Sequence, residues 1–162
     1  MEAEERGQAE SIARNLMELS RLHTPTIAVI CGAGASGGAL ALGVADRMAM
    51  FQFSWYSVIS PEGCSAILFG DSLHTSEAAE NMKLTSRDQK YLEVIDDIIP
   101  EPIGGAHREH YVMARNLEQY LTKTLRELKG FDLDKLLKLR YMKIRSKGMV
   151  GEVNKDALKL AT

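Results

Sequence analysis

From Ala9 to Leu19, apolar residues return every third or fourth position (Ala9, Ile12, Ala13, Leu16, Leu19) while Glu10, Arg14 and Glu18 fall elsewhere, which predicts an amphipathic helix. His23-Thr24-Pro25 ends it, because the residue before a proline is pushed out of the helical region. Thr26 to Cys31 is an unbroken apolar run too short for a helix. Four glycines in seven residues follow (Gly32, Gly34, Gly37, Gly38), then a run of small apolar residues over 36–45. The pattern predicts a buried strand, a tight turn and a helix buried on most sides.

Two short strands are predicted next, 47–51 and 54–59, from Met48, Met50, Phe51, Phe53, Trp55, Tyr56, Val58 and Ile59. A second helix start follows: Ser60 suits the N-cap, Pro61 the first helical position, and Glu62 the place where the helix dipole favours an acid. After a polar loop, 70–76, short helices are expected over 77–83 and 86–94. A strand over 95–99 is stopped by Pro100-Glu101-Pro102-Ile103-Gly104-Gly105. From His107 to Lys129 helical spacing holds through Met113, Leu117, Tyr120, Leu121, Leu125 and Leu128. Gly130 ends that run, and Leu133, Leu136, Leu137, Tyr141 and Ile144 continue it in another helix. The reading is an α/β domain over 1–106, a helical hairpin extension over 107–148 whose apolar stripe needs cover, and a disordered tail over 149–162.

Composition narrows the function. The 162 residues are 45% apolar, enough for one core, and the net charge of -2 gives no overall reason to expect nucleic acid or an anionic membrane as partner. The balance is uneven: nine of the 20 Lys and Arg lie between Lys123 and Lys147. Such a run is the solvated face of a helix or a dock for a phosphorylated cofactor or acidic partner. Cys31 and Cys64 sit in apolar or small-residue surroundings that look interior, and two thiols are too few for a disulfide framework, so a reducing cytoplasm fits. No apolar run approaches the roughly 18 residues of a membrane span, and the acidic first eight residues are unlike a signal peptide.

The glycine turn is where chemistry is possible. The first N–H groups of a helix lack partners and carry partial positive charge, so an anion or a developing oxyanion is stabilised there. Glycines let a ligand approach that backbone. No Cys/His spacing suggests a metal site.

Three long stretches carry a resemblance. Gly32-Ala33-Gly34-Ala35-Ser36-Gly37-Gly38 running on to Asp46, Tyr56-Ser57-Val58-Ile59-Ser60-Pro61-Glu62-Gly63-Cys64 running on to Leu68, and Ile98 to Arg108, with Glu4-Glu5-Arg6-Gly7-Gln8 before them, closely resemble the carboxyltransferase α subunit of bacterial-type acetyl-CoA carboxylase over roughly residues 3–148. The resemblance implies a crotonase-like (ClpP/crotonase) α/β fold of repeated ββα units, here partial. It implies transfer of a carboxyl group from carboxybiotin, borne on the biotin carboxyl carrier protein, to acetyl-CoA, giving malonyl-CoA for fatty-acid biosynthesis. The implied setting is an ATP-binding complex with biotin carboxylase and a zinc-bearing carboxyltransferase β subunit (α2β2), and no metal in this chain. Gly37 and Gly38 match the family's main-chain oxyanion donors. Ala35, Ser36, Tyr56, Ser60, Glu62 and Gly63 are the expected substrate-binding positions.

The family's full-length subunit has an N-terminal half before the Glu4-to-Gln8 motif, with a further glycine turn that supplies a partner donor. The chain therefore resembles a C-terminal half and is expected to expose apolar surface. Alternatives are a non-catalytic fragment that only binds the β subunit, and a carboxyltransferase for another acyl-CoA. A Clp-type serine protease shares the architecture, with Ser36 as nucleophile, but His23, His74, His107 and His110 all lie outside 53–64, where its base would fall. Ser36 is then there for size and a cap bond, and Cys64 as a small hydrophobe. Glu62 either touches substrate or complements the dipole, and His107 caps or packs.

Overall fold

The computed structural model describes residues 2–148. In chain order these form α1 (Glu2–Glu5), α2 (Gln8–Arg21), β1 (Ile27–Ile30), β2 (Ala33–Ala35), α3 (Ser36–Gly43), β3 (Arg47–Phe51), β4 (Trp55–Ser57), α4 (Pro61–Phe69), α5 (Thr75–Asn81), α6 (Ser86–Tyr91), β5 (Asp97–Ile99), α7 (His110–Leu128) and α8 (Leu133–Ser146). The tail over 149–162 lies outside the described residues.

Two parallel sheets interleave along the chain. One has the order β1-β3-β5 and the other pairs β2 with β4. Each of the first two units thus runs strand, strand, helix, with successive strands feeding different sheets. Strand β3 is central in the larger sheet, and its last four residues are buried, as a parallel strand covered on both faces requires. The two-residue period divides them. Met48 and Met50 pack with Ile95 on one face, backed by Ala28, Ile30, Tyr56 and Ile98. Ala49 and Phe51 pack with Ile99 and Met113 on the other, backed by Val29, Leu117 and Tyr120.

That second face corrects the reading of the C-terminal helices. Met113 and Leu128 are buried, so the stripe expected to need cover already has it. Helix α7 lies on β5 and α8 on α2, rather than chiefly on each other.

The glycine pattern predicts turn where the structure has strand β2. Gly34 is buried in it, and a Cβ there would sit 3.1 Å from both Ile30 Cγ2 and Tyr56 Cδ2. Glycine is a poor strand former by propensity, yet here its missing Cβ leaves room for Ile30 and Tyr56 where β2 closes on β4, in the register Gly34↔Tyr56 and Ala35↔Ser57. Two burial expectations also fail. In α3 only Ala41 is buried, while Leu40 is 51% and Leu42 68% exposed, because α2 and β1 cover one side of the helix and among the described residues nothing covers the other. Cys31 is exposed and Cys64 half-buried, since the chain leaves the sheet at Ile30 before reaching Cys31.

The basic run has a third use that neither expectation named. Arg140 and Lys143 lie at i and i+3 on one face of α8, and Lys147 follows as its extended C-cap. Arg140 is 1% exposed. Its Nε and Nη2 donate to the two carboxylate oxygens of Asp46 at 2.8 and 2.7 Å, and its remaining donors reach the carbonyls of Leu19, Leu22 and Thr24, each at 2.9 Å. Asp46 also accepts from the N–H and hydroxyl of Thr26. One guanidinium therefore joins the C-terminal end of α2, where carbonyls lack helical partners, to the entries of β1 and β3. Lys143 pairs with Asp96, and Lys147 donates to the carbonyls of Glu93 and Val94. The other six basic residues of the run are exposed.

Candidate functional site

Helix α3 starts without a side-chain cap. Its N-cap is Ala35, extended at φ -138°, and no side chain accepts from the first-turn N–H groups. The cap expected from Ser36 does not form. Ser36 is instead the first residue of the helix, with φ at 56°, a left-handed conformation that costs a non-glycine residue about 1 kcal/mol. Such strain persists where surrounding structure fixes it, often at functional sites. Here the β2–β4 pairing fixes Ala35 on one side and the helix fixes Gly37 on the other.

The backbone beyond Ser36 is bare. A Cβ on Gly38 would meet nothing within 4 Å, and one on Gly37 would meet only Ile12, 3.3 Å away at Cδ1. The two glycines border different spaces. Ser36 and Gly37 line a cleft of about 520 Å³ with Leu40, Tyr56, Ser57, Val58, Met82 and Gln89. Gly38 lines a second, of about 660 Å³, with Arg6, Gln8, Ser11, Ile12 and Asn15, so the Glu4-to-Gln8 motif and the glycine turn meet there. Tyr56 is half-buried, and burial raises its phenol above the usual range, which keeps it a neutral donor at pH 7.

The second motif behaves differently. Ser60 Oγ accepts from the Gly63 N–H at 3.1 Å as the cap of α4, and a Cβ on Gly63 would lie 2.8 Å from Ile59 Cγ1. Ser60 and Gly63 thus shape the helix start, and Glu62 is exposed in its first turn. None of the three lines the Ser36 cleft. Nor does a histidine. His74 stacks on Phe69 and pairs with Glu77, His107 lies by Gly105, and His110 packs at a tilt against Tyr111. Without a base, Ser36 is no activated nucleophile.

Two structural groups escaped sequence reasoning. Glu101 has one carboxylate oxygen accepting from the Phe53 N–H at 2.9 Å and the other from the Ala106 N–H at 2.7 Å. It clamps the loop after β3 to the Gly104-Gly105 turn, whose φ values of 91° and 95° demand glycine. Partial burial first, and then the charge of Glu101, raises the Cys31 thiol above its usual range, leaving it protonated and poorly nucleophilic. The signal was an acid between two prolines. The other group is Asp46 with Arg140, 94 residues apart, which no local pattern links.

The acetyl-coenzyme A carboxylase carboxyl transferase subunit alpha of Geobacter sulfurreducens is 56% identical over 143 residues, covering 88% of this chain and 45% of its own length. That of Methylococcus capsulatus is 50% identical, covering 93% and 47%. The chain thus spans about half the length of these relatives. Among solved structures, a Pseudomonas malonate decarboxylase hetero-tetramer in complex with coenzyme A superposes with a TM-score of 0.67 at 17% identity, covering 99% of this chain and 60% of that one. The transcarboxylase 12S core gives 0.54 at 23% identity, covering 75% and 25%. At such identities these two show the fold alone, which is crotonase-like. The acetyl co-enzyme A carboxylase carboxyltransferase-like family profile matches residues 1–148, and with relatives about half identical over most of its length, the chain belongs to that family.

Proposed function

We propose that this chain serves as the carboxyltransferase α component of acetyl-CoA carboxylase, acting on carboxybiotin and acetyl-CoA to form malonyl-CoA for fatty-acid biosynthesis in the cytoplasm. Its partners in this reading are a carboxyltransferase β subunit in an α2β2 assembly, the biotin carboxyl carrier protein and biotin carboxylase. The observation that carries the reading is the uncapped N-terminus of α3 with an unobstructed backbone at Gly38. Carboxylated biotin, when bound, supplies the carboxyl group. This chain supplies main-chain donors at the positive end of α3: first-turn N–H groups point along the helix axis toward its start, so those of Gly37 and Gly38 converge on the ureido oxygen although the two residues border different clefts, and they stabilise the negative charge growing there. They are held by backbone already fixed, so little reorganisation accompanies the reaction. Ala35 and Ser36 set the turn, and Tyr56 lines the cleft beside it.

The test is carboxyl transfer between malonyl-CoA and biotin, measured on the chain in complex with the β subunit. Gly38→Val is the cleaner variant, because its side chain enters open space and leaves packing untouched. A branched side chain there blocks approach to the donor, and loss of one such donor costs about 2.7 to 4 kcal/mol of transition-state stabilisation, roughly 100- to 1,000-fold in kcat. Ser36→Ala should retain most activity. If Ser36→Ala abolishes transfer with the fold intact and Gly38→Val leaves it near wild type, the donor assignment is wrong.

A further inference from the structure

The cleft beside Ser36 and Gly37 is lined by one polar side chain that the fold holds in a single orientation. Gln89, in α6, is 7% exposed. Its N–H donates to the Thr85 carbonyl at 2.9 Å, and its carbonyl accepts from Val94 at 2.8 Å and Ile95 at 3.3 Å. The side-chain amide donates through Nε2 to the Lys83 carbonyl at 2.7 Å. Because that partner is an acceptor, the amide has one permitted orientation, and Oε1 is turned the other way. Oε1 has no hydrogen-bond partner, and no side-chain polar atom among the described residues is both buried and unpartnered. It therefore keeps access to open space, and the space Gln89 lines is the cleft. The segment that holds Gln89 is itself tied to β4, through the Trp55↔Thr85 bridge and the Tyr56 N–H donating to the Leu84 carbonyl, which places the amide on the cleft's Tyr56 side.

We infer that Gln89 Oε1 is a binding group that accepts a hydrogen bond from an N–H of the substrate, while the start of α3 donates to the substrate's carbonyl. The two together select a ligand carrying a carbonyl and an N–H on one small rigid frame. A cyclic urea has this form. In a ureido ring carboxylated on one nitrogen, the other nitrogen keeps its hydrogen, and that hydrogen is the one Gln89 reads. The inference rests on the proposed carboxybiotin reading and deepens it by naming a residue that fixes the ring's orientation. Polar groups at a binding site respond asymmetrically: an acceptor that gives up its solvent to a ligand gains when an N–H arrives and loses when a carbon arrives instead.

The experiment measures transfer from malonyl-CoA to free biotin by the chain in complex with the β subunit, with biotin compared with its analogue methylated on the ureido nitrogen that is not carboxylated. Wild type should prefer biotin, and Gln89→Met should lower kcat/KM for biotin roughly three- to ten-fold, leave KM for malonyl-CoA unchanged, and shrink the preference over the analogue. The wild-type comparison needs no variant, so it decides the matter even if Gln89→Met fails to fold. Equal kcat/KM for biotin and analogue in wild type overturns the inference, as does a folded Gln89→Met variant with unaltered biotin KM and preference. If Gly38→Val still abolishes transfer in that case, only the role of Gln89 falls. If wild type carries no carboxyl group to biotin at all, both readings fall.

Discussion

Replacing Arg140 with methionine should be among the most damaging single changes outside the glycine turn. The guanidinium makes five hydrogen bonds at 2.7 to 2.9 Å, two to Asp46 and three to carbonyls, with the paired side chains 0% and 2% exposed. Methionine fills much of the volume, so the loss is chiefly electrostatic. Asp46 keeps its two bonds from Thr26 but becomes an uncompensated buried charge. Breaking a buried pair by removing one partner costs about 3 to 5 kcal/mol. The three carbonyls add less, because Leu22 and Thr24 are exposed and water can reach them. At about 2 to 4 °C per kcal/mol for a chain of this size, Tm should fall by roughly 6 to 20 °C. Arg140→Lys restores a charge but cannot span both carboxylate oxygens and three carbonyls, so it should recover only part of the loss. Lys138→Met, at an exposed position of the same helix, should change stability by less than about 0.5 kcal/mol. Urea unfolding followed by the single tryptophan, Trp55 on β4, reads all three. If Arg140→Met unfolds within about 1 kcal/mol of wild type, the clamp does not hold α2 and α8 to the sheet.

Other expectations follow from the same geometry. Ser36→Gly should stabilise the chain by up to about 1 kcal/mol, since glycine adopts φ of 56° without the side-chain penalty; a lower Tm would mean the serine makes contacts that offset its strain. Glu101→Gln should loosen the loops it joins, because an amide cannot accept at both oxygens as the carboxylate does for Phe53 and Ala106; faster hydrogen exchange at those two amides checks it. The Tyr120 hydroxyl donates to Asp97, and burial first, then the charge of Asp97, raises its pKa. The folded form holds its proton above the unfolded value of about 10, so its stabilisation is intact below that pH and declines as pH rises beyond it; Tyr120→Phe should flatten the stability profile above pH 10. The chain should associate with a β subunit or with itself, because Leu42, Val58, Ile67, Leu68 and Leu73 are 68%, 77%, 73%, 67% and 87% exposed; a clean monomer by light scattering that takes up no β subunit would contradict this.

Much of this protein was legible in local pattern. The spacing from Ala9 to Leu19 and Pro25 beyond it bounded α2, and Ser60-Pro61 marked the start of α4 with the cap bond that the structure contains. The apolar run before Cys31 and the long C-terminal spacings were equally readable, because caps, periodicity and proline act within a few residues. The family was legible as well, since three long motifs in order are far more specific than any one glycine turn. Contacts between distant segments decided the rest. Gly34 lies in a strand because Tyr56 offers a partner at the right height, against its own propensity. Arg140 looked like one more basic residue of a solvated helix until Asp46 came within reach. The adjacent glycines 37 and 38 border separate clefts because α2 and β4 lie on different sides of α3. Gln89, unremarkable in sequence, faces the same space as Gly37 through the bridge between Trp55 and Thr85. Hydrophobic period and turn chemistry are carried by neighbouring residues, whereas burial, ion pairing and the orientation of an amide depend on what the folded chain brings against them.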